Sequence, residues 1–349
     1  MLGALTEEQE AYRDAFRDWL AKVADPAAVR EWLDGGDTAG FGRRHASEGW
    51  AGVGIPEAIG GQGGGLMELV LTAEELGRSA APSAAWLAAV VAAPLVGSWD
   101  DDAVPVLLVP ADAVPHLAAQ LELREDGRVT GVVRQVLAGA EATSFVVPVS
   151  AGGGLRLRLV DAGAAEVTPR RLLDRSRTAA DVRLDGAPSE PLEGGADALV
   201  DASARLAVLV AADATGASAR MLDLAVEYAG QRKQFGVPIG SFQAVKHLAA
   251  TILVGVEAAR SIVPFAAASV DAPASDRDPQ WLLHAAAAKS QVTRAAAQAA
   301  DDALTLHGAI GYTWEHDLQL FYKRARLDAV LGGSPDAWAD VVAEGLALA

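Results

Sequence analysis

Arg232-Lys233-Gln234-Phe235-Gly236 and, a little further on, Gln243 bring a guanidinium, two amides, an aromatic ring and a tight glycine into one short stretch. These types at this spacing suit an anionic cofactor that carries a flat ring. A guanidinium grips a pyrophosphate through two parallel N–H bonds. Phe235 offers a face to a ring system, and Gly236 lets the backbone approach closely. The stretch falls inside a long helical segment, where one helical pattern ends near Gly230 and the next follows Phe242.

The chain has 349 residues, enough for two or three domains. Hydrophobic residues make up 51% and charged residues 21%, the composition of a globular protein. A formal net charge of -17 argues against a nucleic-acid partner, which needs a basic patch to displace counterions. An anionic ligand remains compatible with a local cationic cluster, for which Lys323, Arg324, Arg326 and Arg232 are the candidates. With Cys 0 there is no disulfide, thiolate metal site or cysteine nucleophile, and the scattered histidines predict no metal. Met1 to Gln9 does not read as a signal peptide. Apolar runs such as Ala84 to Val96 fall short of the ~20 residues that span a bilayer. A cytoplasmic protein without membrane contact is expected.

Three segments follow from periodicity. Residues 1–98 read as a helical domain. It opens on a capping signature, Thr6 with Gln9, and continues with apolar positions Tyr12, Phe16, Trp19, Leu20 and Val23 at helical spacing. A second helix from Met67 is expected to stop at Gly77. Residues 99–195 read as a small β domain, with strand-like runs at 104–109, 145–149 and 155–160, and with Arg156 and Arg158 in solvent. Residues 196–349 read as a four-helix bundle, with helices near 196–230, from 242 to 268, 280–307 and 315–332. The expected fold class is α+β and mostly α: a helical domain, a β domain and a bundle.

That order, with its motifs, resembles the acyl-CoA dehydrogenase family. The resemblance rests on Leu5-Thr6-Glu7-Glu8-Gln9, Glu48 to Glu57, Gly60-Gly61-Gln62-Gly63 and Glu74 to Arg78 in the first segment. It continues with Leu173 to Arg177 and Val182 to Gly186 in the second, and Arg232 to Gln243 and Leu306 to Asp317 in the third. It implies α,β-dehydrogenation of an acyl-CoA thioester with FAD. In this family the block matching Arg232, Gln234, Phe235, Gly236 and Gln243 reaches across a dimer interface to the ADP half of the neighbour's FAD. Thr305 to Gly311, with Gly308 and Ala309, would close over the adenine side. There the family usually has Gln followed by two adjacent glycines, and this chain departs from that pattern.

The resemblance also identifies what is missing. In most members the base is a Glu after the last long helix, where this chain has Gly332. A variant places it on an earlier helix beside an Arg, where this chain has Ala204 before Arg205. The family's flavin-contacting segments of the middle domain have no match between Trp99 and Gly139, or are replaced by Val133 to Leu137. This pattern is similar to the short subunit of actinobacterial α2β2 acyl-CoA dehydrogenases of steroid side-chain degradation. It implies a dimer or tetramer with a longer homologue, and electron-transfer flavoprotein as acceptor. The alternatives are a self-sufficient enzyme whose base is Asp302 or Glu315, and a flavin-free assembly protein. Trp50 and Trp314 are read as packing residues, and His307 and His316 as structural.

Overall fold

The computed structural model describes residues 5–347. Residues 1–4 and 348–349, the outer ends of the first and last expected segments, lie outside the described residues. Five helices come first: α1 (Glu7–Val23), α2 (Pro26–Gly35), α3 (Thr38–Ser47), α4 (Leu66–Ser79) and α5 (Ala84–Val96). The capping box that opens α1 is reciprocal, with Gln9 N donating to Thr6 Oγ1 at 3.2 Å and Thr6 N to Gln9 Oε1 at 3.1 Å. One helix of this group ends differently from expectation. Gly77 lies inside α4, which stops at Ala80 in the left-handed region. Gly77 is a contact glycine: a Cβ there would sit 2.0 Å from the carbonyl oxygen of Asp213. Gly216, on the facing helix, would place a Cβ 1.8 Å from the carbonyl of Glu74. Gly216→Ala must therefore push two backbones apart. It is expected to cost about 3 kcal/mol, read as a lowered midpoint in urea unfolding.

His45 on α3 is caged by Phe16, Trp19, Phe41 and Trp86, with ring centroids 5.6, 5.8, 5.7 and 6.1 Å away. Burial pushes its pKa down to about 3. The unfolded chain therefore binds the proton first, and the neutral ring contributes stability above about pH 6.5 that is lost as pH falls. Between pH 6.5 and 5 this one side chain is expected to remove about 2 kcal/mol. His45→Phe should flatten that part of the pH–stability curve.

The β domain holds β1 (Pro105–Leu107), β2 (Leu121–Leu123), β3 (Val129–Leu137), β4 (Ser144–Ala151), β5 (Gly154–Asp161), β6 (Ala165–Arg170), β7 (Ala179–Ala187) and β8 (Glu190–Leu192). The sheet runs β6-β7-β3-β2-β4-β5-β8, with β1 paired to β4. The β1–β4 and β2–β4 pairs are parallel and the others antiparallel. Val129, Val133, Val136, Phe145, Val147, Val182 and Leu184 fill one core cluster. On β5, Arg156 is exposed as expected, but Arg158 is half-buried and donates to Ser189 Oγ at 2.9 Å and Ser189 O at 2.6 Å.

The last segment contains α6 (Gly195–Gln231), the short hairpin β9 (Lys233–Gln234) and β10 (Val237–Pro238), α7 (Gln243–Asp271), α8 (Trp281–His307), α9 (Leu318–Asp328) and α10 (Pro335–Gly345). Helix α6 is almost continuously buried from Ala202 to Ala219 because α4, α5, α7, α8 and α9 all pack on it. The final helix of the expected bundle is shorter than the sequence suggests, and a separate α10 follows, capped by Ser334 with Pro335 at its first position. Helix α7 is long and apolar enough to cross a membrane by length and composition, yet only 22% of that stretch is buried inside the chain. It lies in the bundle with Leu253, Val254 and Phe265 facing outward.

Candidate functional site

Arg232 caps α6, its backbone N–H donating to the Tyr228 carbonyl at 2.8 Å. The hairpin then turns through Phe235 at φ 53° and Gly236 at φ 83°, two consecutive positive values of the kind a tight two-residue turn demands. Ile239 N closes the loop on the Arg232 carbonyl at 2.8 Å. Phe235 is 93% exposed in a left-handed conformation, which costs a non-glycine residue about 1–2 kcal/mol. Its one aromatic neighbour, Phe242, stands edge-on at 6.1 Å. Arg232, Gln234, Gly236 and Gln243 are exposed with it, and among the described residues Arg232 forms no ion pair. The first limb is thus a firmly built hairpin, and the side chains expected from the sequence to meet the cofactor all face away from their own chain.

The second limb follows α8. Thr305, Gly308 and Ala309 are exposed, and the Thr305 hydroxyl donates back to the Asp301 carbonyl at 2.9 Å. Gly311 is buried: a Cβ there would lie 2.9 Å from Leu304 Cδ1 and 3.1 Å from the Cβ of His307. Its place in the limb is that of a packing glycine under the exposed turn.

The four expected cations do not assemble. Lys323 sits 3.6 Å over the ring of Trp314, Arg326 pairs with Asp301, and Arg324 is wholly buried. Trp314 departs from its expected packing role: it is 65% exposed, whereas Trp50 packs on Tyr12, Phe16 and Trp19.

Arg324 instead organises a buried ionic junction that sequence reasoning missed. Its guanidinium donates to both oxygens of Asp213 at 2.8 Å, to Ser83 Oγ and the Ala81 carbonyl at 2.8 Å, and to Ser176 Oγ at 2.7 Å. Arg177 adds a bond to Asp213 Oδ2 at 2.8 Å. Burial opposes charge on Asp213, but the two guanidiniums outweigh it and hold the carboxyl at about 2. Asp328 beside it goes the other way. Burial, then the charge of Asp213, raises it well above the ordinary carboxyl value, and neither of its oxygens receives a hydrogen bond. Asp213 is therefore the ionised member of the pair and Asp328 the neutral one.

Gly332 lies close to this junction, in a turn tied on every side. Its N–H donates to the Ala111 carbonyl at 2.6 Å, and its own carbonyl accepts from Trp338 Nε1 at 2.7 Å. Lys289 Nζ donates to the carbonyls of Asp328 at 2.9 Å and Gly333 at 3.0 Å. Gly332 has φ 68°, and a Cβ there would meet Leu206 Cδ2 at 3.0 Å. The space beneath the turn, walled by Leu87, Val91, Val109, Leu206 and Leu331, is about 30 Å³. Ligand pockets measure roughly 300–1,000 Å³. This space therefore takes neither a flavin ring nor an acyl chain.

Neither alternative base is brought to Gly332. Asp302 is buried on α8, accepts from Gln298 Nε2 at 2.9 Å, and lines a separate gap of about 80 Å³ between α6, α7 and α8. Glu315 is exposed, its backbone carbonyl accepting from Arg30 at 3.0 Å. Ala204 is buried, and Arg205 next to it pairs with Asp271 at 3.8 Å. A cleft of about 900 Å³ between α3, α5 and the β domain includes neither Gly332 nor the two limbs. Among the described residues no cluster of His, Asp and Glu could hold a metal ion.

Comparison with known proteins gives these features a lineage. Residues 6–99 match the description "Acyl-CoA dehydrogenase, N-terminal domain", and residues 194–347 match "Acyl-CoA dehydrogenase, C-terminal domain". The chain is 34% identical over 337 residues to acyl-CoA dehydrogenase IpdE2 of Mycobacterium tuberculosis, covering 94% of each. It is 35% identical over 351 residues to acyl-CoA dehydrogenase FadE34 of the same organism, but spans only 47% of that longer protein. Among solved structures it resembles the ChsE4-ChsE5 complex of M. tuberculosis, with TM-score 0.86, 25% identity and 99% of each chain covered. Matched at both ends by the family's domains and along its length by relatives and structures, this chain belongs to the acyl-CoA dehydrogenase family.

Proposed function

We propose that the chain is the non-catalytic subunit of a heteromeric acyl-CoA dehydrogenase, contributing Arg232, Gln234, Phe235 and Gln243 to the ADP half of an FAD that a longer homologue holds. Members of the family are FAD-dependent, and FAD when bound supplies the hydride acceptor. The observation that carries the reading is the pairing of opposites in one chain: an intact hairpin aimed outward, and a glycine turn sealed over a 30 Å³ space where the base would stand. The residues fit one half of the cofactor only. Arg232 matches a pyrophosphate, and Phe235 stands free to lie along it, whereas the space under Gly332 excludes the ring half. The partner supplies the carboxylate that removes the α-proton of the acyl-CoA, and electrons pass on to an electron-transfer flavoprotein.

Two observations support a partner. Phe235, Val237 and Phe242 form an exposed apolar group at the limb, and α7 separately exposes Leu253 and Val254. The chain also matches under half of FadE34, a protein long enough for two units of this size.

The test is the visible spectrum of the chain purified alone and after co-expression with a longer homologue that has the Glu. A colourless chain that turns yellow in the complex, with a single flavin for each pair of chains, is the expected result. A lone chain that is yellow and bleached by an acyl-CoA overturns the reading. A further expectation concerns the turn itself. Gly332→Glu should destabilise the fold by about 1–2 kcal/mol, because a side chain at φ 68° is strained and meets Leu206. It should restore no acyl-CoA-dependent bleaching, because the space beneath stays closed.

A further inference from the structure

We propose that Tyr228, His307 and His316 form a positioning column that holds the two limbs of the ADP half-site at a fixed separation; the inference rests on the reading above. The three rings stack in sequence. Tyr228 lies on His307 with centroids 4.9 Å apart and planes 24° apart, and His316 meets His307 edge-on at 4.7 Å and 68°. Each ring belongs to a different helix end. Tyr228 is in the last turn of α6, and its carbonyl receives the Arg232 N–H that sets the start of the first limb. His307 is the last residue of α8, immediately before Gly308 of the second limb. His316 Nδ1 accepts the Leu318 N–H at 3.1 Å and so fixes the start of α9.

Burial pushes the pKa of the central ring down. His307 Nδ1 faces the Ala303 carbonyl at 2.7 Å, so it must be the protonated nitrogen. The ring is only 3% exposed. Gly311 packs against the Cβ of His307, which locks the far end of the second limb onto the same ring. The limbs themselves are exposed turns, whereas the column beneath them is buried or half-buried. A cofactor gripped at two points gains from both only if their spacing is set beforehand. The Tyr228–His307 stack is an aromatic contact between the helix end before Arg232 and the helix end before Gly308. Among the described residues the Tyr228 hydroxyl makes no hydrogen bond, so the ring face rather than the hydroxyl carries the effect.

The experiment is an FAD titration of the deflavinated complex, followed by the visible band, for four variants of this chain. Tyr228→Ala is expected to raise the flavin Kd about tenfold, and Tyr228→Phe to leave it at the wild-type value. Wild-type affinity in Tyr228→Ala overturns the column, as does an equal loss in Tyr228→Phe. If Tyr228→Ala does not assemble, His316→Ala decides in the same way: a several-fold loss supports the column and an unchanged Kd overturns it. Arg232→Ala separates the two ideas. If it leaves flavin binding intact, the half-site reading itself falls; if it abolishes binding while Tyr228→Ala does not, only the column falls.

Discussion

Asp213→Ala is expected to lower the stability of the chain by roughly 3–5 kcal/mol, the cost of leaving buried guanidinium charge without its partner. Asp213 accepts from Arg324 through both oxygens and from Arg177 through one, all at 2.8 Å, inside a junction closed to solvent. The neighbouring carboxyl provides the control. Asp328 is already neutral and accepts no hydrogen bond, so Asp328→Asn removes little and should cost less than about 1 kcal/mol. Urea unfolding at neutral pH measures both. A larger loss in Asp328→Asn than in Asp213→Ala would show that Asp328, not Asp213, carries the charge.

The other large effect concerns the cofactor. In the complex, Arg232→Ala is expected to weaken FAD binding by about 2–4 kcal/mol, or roughly 30- to 700-fold, because a paired set of charge-assisted hydrogen bonds to pyrophosphate disappears. The same substitution should leave the thermal unfolding of the lone chain where it was, since the side chain is exposed and forms no ion pair. Gln243→Ala, which removes one neutral contact, should cost closer to 1 kcal/mol. Flavin content after gel filtration and an FAD titration distinguish the two. A complex that keeps its flavin without Arg232 rules out the pyrophosphate role.

The order of helical, β and helical segments was legible because it rests on local periodicity, and the capping box at Thr6 and Gln9 is likewise local. The hairpin residues were legible as types, but their orientation was not: nothing in Phe235 itself says that it stands in solvent. Gly77 misled because a glycine that ends a helix and a glycine that admits a neighbouring helix look alike until the facing Gly216 is in view. Helix α10 had a readable start in Ser334-Pro335, hidden by reading the preceding helix as far as Gly332. Arg324 looked like a ligand-binding cation because its partners, Ser83, Ser176 and Asp213, lie in three distant parts of the chain and leave no local trace.

That same arginine bears on how such a chain can be divided or recombined. Its partners come from the connection after α4, from the β6–β7 connection and from α6, while Arg324 itself is on α9. A cut at the second boundary visible in the sequence separates Arg177 from Asp213, and a cut at the first leaves Arg324 without the Ala81 carbonyl and Ser83 hydroxyl that accept from it. The three segments are therefore not autonomous modules. The molecule should melt in a single transition, and a middle domain transplanted from a relative succeeds only if it brings a residue able to stand where Arg177 stands. Charge complementarity at the centre, more than loop length at the seams, limits which relatives can exchange parts with this chain.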